Sequence, residues 1–261
     1  MPSAPKLMNM NWRMSTRLRN LLVVALFCHW WSPCAQATMA FDAFTETAST
    51  TTDPTATHSP VGTPRAAIVW VESHLTAVGD DVSGCTYGGT TMTEVAVSPV
   101  LKTNAEALRS HAFFLGSSLP TGDQTVTCTV DEATPKVMYV YTLTAAADTE
   151  VVDSDTVSSD AVGDPSVTMQ LTSRASFVAV GFSSGLNDTP LNSAPFTGWT
   201  SRSEVDDGSQ GMGTYSYDTI DTADVGSCGY DQNVASEDAT LICVAVSEVA
   251  GGAARRVIWW N

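Results

Sequence analysis

The sequence predicts an all-β protein: one main domain built as an antiparallel β-sandwich of jelly-roll type. Three observations predict it. From Ala66 onward, apolar residues come in short runs of strand length. Turn-forming clusters such as Pro120-Thr121-Gly122-Asp123 and Asp206-Asp207-Gly208 separate those runs. No segment holds a sustained helical period, and many short strands without intervening helices pack as a sandwich or barrel.

The elements follow in order. Ala66-Ala67-Ile68-Val69-Trp70-Val71 is a continuous apolar run, and Met92–Val97 follows the turn signal Gly88-Gly89. His111–Leu115 stops at Gly116, and Asn104–Ser110 has the composition for one or two helical turns. Thr125–Val130 and Val167–Leu171 alternate polar and apolar residues, the pattern of a strand with one buried face. Val137–Leu143 is rich in β-branched and aromatic residues. Ser176–Phe182, Met212–Tyr217 and Leu241–Val246 complete the set. Val82-Ser83-Gly84-Cys85-Thr86-Tyr87 is echoed by Val225-Gly226-Ser227-Cys228-Gly229-Tyr230; one six-residue match does not establish a repeat.

Charge divides the chain. Residues 1–37 hold Lys6, Arg13, Arg17, Arg19 and no acid, whereas residues 38–261 hold the other 8 bases and all 28 acids. Bases, then the apolar run Leu21–Phe27, then Ala35-Gln36-Ala37, form the layout of a secretory signal peptide. The run is far shorter than the ~20 residues a membrane-spanning helix needs, so no stable span is expected. The second reading is a mis-called extension with the true start at Met39. Residues 38–64 read as an extended Thr/Ser/Pro lead-in with little of its own to bury, 65–250 as the β-sandwich domain, and 251–261 as a Gly-hinged basic and aromatic tail.

The acidic balance argues against nucleic acid, whose phosphates need clustered Lys and Arg. Four cysteines follow residue 38: Cys85, Cys128, Cys228 and Cys243. Free or optional thiols are the favoured reading. In an oxidising compartment Cys228 and Cys243 are the expected pair, because they flank a loop that a hairpin would close.

Candidate chemistry is sparse, and neither a catalytic nor a metal site nor a cofactor is expected. Gly181-Phe182-Ser183-Ser184-Gly185 matches the nucleophile-elbow pattern, but no helix-forming segment follows it and no histidine lies beyond His111. His58, His74 and His111 lack metal-ligand spacing. Asp148, Glu150, Asp153, Asp155, Asp160 and Asp164 read as a solvated acidic loop, with a weak, irregular cation site as the second reading. Arg255, Arg256, Trp259 and Trp260 combine the residue types that most often dominate interface energy, which predicts self-assembly through the tail. The competing account folds the tail back as a last strand.

Cys85-Thr86-Tyr87-Gly88-Gly89-Thr90-Thr91-Met92-Thr93 and Leu119-Pro120-Thr121-Gly122-Asp123-Gln124-Thr125-Val126-Thr127 resemble two motifs of a loose group of uncharacterised β-sandwich proteins from phages and environmental bacteria. These are a T-Y-G-G-x-x-[ML]-T strand-turn-strand and a P-x-G-x-Q-T-V strand start. The resemblance implies a non-enzymatic, virion-associated structural protein, such as a decoration, tail or fibre component, with protein partners. The alternative is a secreted β-sandwich module that binds glycans or a cell surface. The location is then the virion or the extracellular space.

Overall fold

A computed structural model describes residues 39–49, 53–75, 82–102, 107–117, 119–131, 134–159, 165–170, 176–185, 198–206, 211–220, 225–230 and 238–249. The chain divides into two units, Met1–Gln36 and Ala37–Asn261, and all described residues belong to the second. The signal-like segment and the tail at 251–261 lie outside the described residues.

The described residues form strands and no helix. In chain order these are β1 (Ala40–Ser49), β2 (Thr55–His58), β3 (Pro64–Leu75), β4 (Val82–Tyr87), β5 (Thr90–Thr91) and β6 (Thr93–Glu94). Next come β7 (Val100–Leu101), β8 (Ala107–Leu115), β9 (Gln124–Val130), β10 (Lys136–Thr144), β11 (Thr149–Ser159) and β12 (Ser166–Gln170). The last are β13 (Ser176–Ser184), β14 (Thr200–Asp206), β15 (Gly211–Ile220), β16 (Val225–Gly229) and β17 (Ala239–Glu248).

They make four antiparallel sheets, none closed. The first large sheet has the order β1-β10-β3-β8-β6, with β7 also on β8; the second has the order β11-β17-β13-β15-β14. A small sheet, β2-β9-β4-β5, belongs to the first half of the chain, and a two-stranded sheet, β12-β16, to the second.

Three cores hold these sheets together, and side-chain alternation assigns each residue to its core. On β3, Ala66, Ile68 and Trp70 face the core shared by the two large sheets, together with Tyr139 and Tyr141 of β10 and Phe177, Ala179, Ile242 and Val244 of β13 and β17. Ala67, Val69 and Val71 point the other way, onto Cys85, Tyr87, Val126 and Cys128 of the first small sheet. On β13 and β17, Val178, Val180, Phe182, Leu241 and Cys243 turn instead toward Met169, Cys228 and Tyr230 beside the second small sheet. The central strands are therefore buried on both faces, which is why their sequences run apolar without alternation. Each fully buried Val, Leu, Ile or Phe adds about 1.5–3 kcal/mol, so these cores supply most of the drive to fold.

The two halves repeat one strand order. Matching β1, β2, β3, β8, β9 and β10 with β11, β12, β13, β15, β16 and β17 makes both large sheets read first, last, third and third-from-last strand, and both small sheets pair the second strand with the next-to-last. The echo between residues 82–87 and 225–230 does not mark this duplication: it joins β4 to β16, whereas the partner of β16 is β9.

Three expectations are corrected. The Thr/Ser/Pro lead-in contains β1, paired along β10, and β2, paired with β9. Its Thr residues are β-branched and fit an edge strand with one face packed. Residues 107–110 extend β8 rather than forming a helical turn, because their ladder with β3 continues to Ala107. The acidic stretch is not a loop: Glu150, Asp153 and Asp155 lie on β11, the edge of the second large sheet. Charges on an edge strand oppose its pairing with another chain. Asp160 and Asp164 lie outside the described residues.

Candidate functional site

The two motifs that carry the resemblance build one corner of the first small sheet. Gly88 and Gly89 have φ of 56° and 78° in the two-residue link between β4 and β5. That is the left-handed conformation a tight hairpin turn with both central φ positive requires. A Cβ on Gly88 would sit 2.4 Å from Gln124 Oε1 and 2.7 Å from Pro120 Cγ. Gly88 N donates to Thr125 O at 2.9 Å, and Gln124 Nε2 donates to Thr121 O at 2.8 Å. The Gly-Gly turn and the Pro-x-Gly-x-Gln segment are thus two sides of one contact, and both serve packing.

The cysteines are bonded, which overturns the free-thiol reading. Cys85 and Cys128 are directly opposed on β4 and β9, with Cα atoms 4.0 Å apart. Cys128 N donates to Pro54 O on the other side of β9, and Cys85 O accepts from Met92 N. Their backbone groups point away from each other, so they occupy a non-hydrogen-bonded position, where side chains approach most closely. Cys228 is bonded to Cys243, with Cα atoms 6.2 Å apart. No hairpin brings them together: β16 pairs with β12, so this bond crosses between facing sheets.

The elbow-like serine is a strand residue. Ser183 is fully buried on β13, opposite Met212 on one side and Thr240 on the other. Gly181 has a packing role instead: a Cβ there would lie 2.3 Å from Trp70 Cδ1. His111 is buried, stacks on Phe113 and has Nδ1 3.4 Å from Glu94 Oε1, while His74 is half-buried on β3. No group of three or more His, Cys, Asp or Glu side chains among the described residues is placed to hold a metal ion.

His58 is the titratable group whose surroundings are best defined. Its ring is fully buried between β2 and the first large sheet; Nδ1 lies 2.9 Å from Thr45 Oγ1 and Nε2 lies 2.9 Å from Thr142 Oγ1. Thr142 Oγ1 donates to Asp42 Oδ2 at 3.0 Å, so it accepts from His58 Nε2–H, and Nδ1 accepts from Thr45. The β-bulge between Phe41 and Ala43 takes Asp42 out of the ladder, and its Oδ1 accepts from Gly62 N at 2.6 Å. Burial pushes the His58 pKa down to about 4 against the opposing pull of Asp42. Sequence reading set His58 aside because it had no metal-ligand spacing; its threonine partners come from β1 and β10.

The core shared by the large sheets has two margins, where edge strands of the two sheets face each other. At the first, β1 meets β14, and the gap is filled. The Arg202 guanidinium lies 3.7 Å over the Phe41 ring, and Phe44 stacks on Tyr139 with centroids 6.2 Å apart. Arg202 Nε donates to Ser216 Oγ at 2.8 Å, its Nη2 pairs with Asp218, and Ser203 donates to Glu46. At the second margin, β6 meets β11, and the gap is an open cleft of about 540 Å³. Its lining combines the apolar Val95, Val97, Phe114 and Val151 with the acids Glu94 and Asp153. This cleft is the candidate interaction site; the sequence did not reveal it, because its lining comes from segments about 60 residues apart in the chain.

Arg255, Arg256, Trp259 and Trp260 lie outside the described residues. No protein family, curated protein or solved structure matches this chain.

Proposed function

We propose that this is a non-enzymatic structural protein of two tandem jelly rolls, carried on a virion as a decoration, tail or fibre component. The observation that carries this reading is the repeated strand order. In both halves the large sheet runs first-last-third-third-from-last, and the small sheet pairs the second strand with the next-to-last. This order supports the jelly-roll reading, an architecture used by capsid shells and by lectins. Packing the two large sheets on one core, each with a small sheet against its other face, makes four layers. The resemblance of the Tyr87-Gly88-Gly89 and Pro120–Val126 motifs to phage-associated β-sandwich proteins favours the virion over other settings.

Two internal disulfides favour a second reading, a secreted module that binds glycans or a cell surface, because such bonds persist in oxidising compartments. One experiment separates the two. Particles purified from a producing culture are digested and examined by mass spectrometry, while the particle-free medium is tested on a glycan array. The virion reading expects the chain in particles at a fixed ratio to the major shell protein. Its recovery only from the medium, with glycan binding, would overturn that reading in favour of the second.

A further inference from the structure

The geometry points to residues 55–63 as an acid-released strap, pinned at both ends and locked in the middle by the His58 ring, whose charging lifts β2 off β9 without unfolding the large sheet beneath. Three observations meet here.

The first is how the strap is held. Pro54 and Pro64 are buried at its two ends; Pro54 O accepts from Cys128 N at 3.1 Å, and Pro64 stands opposite Thr144 on β10. Between them β2 is an edge strand, with β9 as its one ladder neighbour among the described residues. That ladder has four pairs, against nine between β1 and β10. Thr55 and Thr57 are exposed and Ala56 is half-buried, so His58 is the fully buried side chain of β2. Ser59, Val61, Gly62 and Thr63 are exposed, and Gly62 N holds this link to Asp42 Oδ1 on β1.

The second is what the lock is made of. His58 reaches out of the small sheet and joins two strands of the large one, through Thr45 on β1 and Thr142 on β10. An aliphatic side chain would fill a buried slot at any pH. The imidazole fits this one while neutral, with Nδ1 accepting and Nε2 donating. The bulge of β1 serves the arrangement. It puts both Phe41 and Phe44 against the shared core, opposite Leu143 and Tyr141, and leaves Thr45 and Asp42 on the His58 side.

The third is what surrounds the ring. From β1 it meets Thr45 and, through Thr142 of β10, the Asp42 carboxylate. From β4 it meets the Tyr87 ring, with centroids 6.1 Å apart, and its ladder partner on β9 is the uncharged Gln124. Burial pushes the Tyr87 hydroxyl up to about 12, so it stays neutral at pH 7 and below. Both oxygens of Asp42 already accept, from Thr142 and from Gly62. A proton on Nδ1 would turn that nitrogen from acceptor to donor against Thr45 and leave a buried cation with no direct counter-ion among these groups, which is costly. Swinging His58 out with β2 hydrates the charge instead.

The test is amide hydrogen exchange on the full chain at pH 7.0 and 5.0, corrected for intrinsic exchange, with and without low urea. The ring titrates near 4 in the closed strap and at its ordinary value near 6.5 in the open one, so the opening constant should rise about 20-fold between these pH values. Amides of residues 55–58 and of Gly62 should lose that much protection. They should also stay about tenfold or more below the protection of β3 and β10 and respond weakly to urea, the mark of a local opening. His58→Gln and His58→Leu should each remove the strap's pH response. Equal protection of the strap, β3 and β10, with the same urea dependence, would overturn the proposal, because the proton would then act through global unfolding. So would strap protection that does not change with pH in the parent, or a response that survives in either variant.

Discussion

The indole of Trp70 lies directly on Gly181. Trp70 stands at the centre of β3, and Gly181 at the centre of β13, its counterpart in the other half. The Trp70 Nε1–H crosses the shared core to donate to Ile242 O at 3.2 Å, on the strand beside Gly181. The two halves, alike in strand order, meet here as a knob and a hole.

That fit predicts a steep response at Gly181. A methyl there would sit 2.3 Å from Trp70 Cδ1 and 2.5 Å from Glu72 Oε1, and neither neighbour has room to retreat inside a buried core. Gly181→Ala should cost about 1–3 kcal/mol, the usual penalty of overpacking. Trp70→Phe alone opens a void and also loses the hydrogen bond. Combined with Gly181→Ala it should cost less than the sum of the two, because the smaller ring vacates the space the methyl needs. Urea denaturation of the single and double variants measures the coupling; strict additivity would reject direct contact as the cause.

The disulfides predict unequal losses. Cys85–Cys128 closes a separation of 43 residues and Cys228–Cys243 one of 15. The chain-entropy estimate gives about 4 kcal/mol for the first and about 3 kcal/mol for the second. Replacing both members of a pair by Ser should therefore cost more for Cys85 and Cys128. Peptide mapping without reductant should recover both linkages from protein made in an oxidising compartment. Recovery of a crossed pairing would contradict the layer assignment of β4 and β16.

Strands buried on both faces were the most legible feature of the sequence. Ala66–Val71, Val137–Leu143, Ser176–Phe182 and Leu241–Val246 declare themselves because no face needs polar residues. Edge strands were not legible. β14, Thr-Ser-Arg-Ser-Glu-Val-Asp, has a single apolar residue, and β11 reads as acidic loop because its charges guard an open edge. β1 and β2 were hidden in a Thr-rich segment whose few apolar side chains, Phe41 and Phe44 among them, find their core only once β10 lies beside them. The pairing of Cys85 with Cys128 depends on the β4–β9 register, which a one-residue slip would reverse. The shared strand order has no matching sequence repeat: the facing strands β3 and β13 carry unlike residues at their contact, Trp70 against Gly181.

Ser183 tests the reading of its motif. It sits in the middle strand of a sheet, fully buried, with its neighbours engaged in ladder pairing. Ser183→Ala removes a buried hydroxyl without opening space. Stability should stay within about 1 kcal/mol of the parent. A broad ester-hydrolysis screen should give the same result for both proteins. Turnover in the parent that vanishes in the variant would refute the non-enzymatic reading.

His58 predicts a pH dependence with a definite sign. Burial lowers its pKa in the folded protein to about 4, whereas the unfolded chain carries the ordinary value near 6.5. Between these two values the unfolded chain binds a proton that the folded one does not, so stability falls as pH drops through the window and is fully retained above it. Charging the ring would also require Thr45 to stop donating to Nδ1. His58→Gln keeps a donor and an acceptor for Thr142 and Thr45 but does not titrate. Relative to this variant, the parent should lose up to about 1.4 kcal/mol more per pH unit as pH falls through the window. Denaturant melts at pH 7.0, 6.0, 5.0 and 4.5 provide the two slopes, and carboxylates titrating in the same range affect both proteins alike. Parallel slopes, or a His58 ring that titrates near 6.5 by NMR in the folded protein, would show that the imidazole is not held neutral by Thr45, Thr142 and its burial.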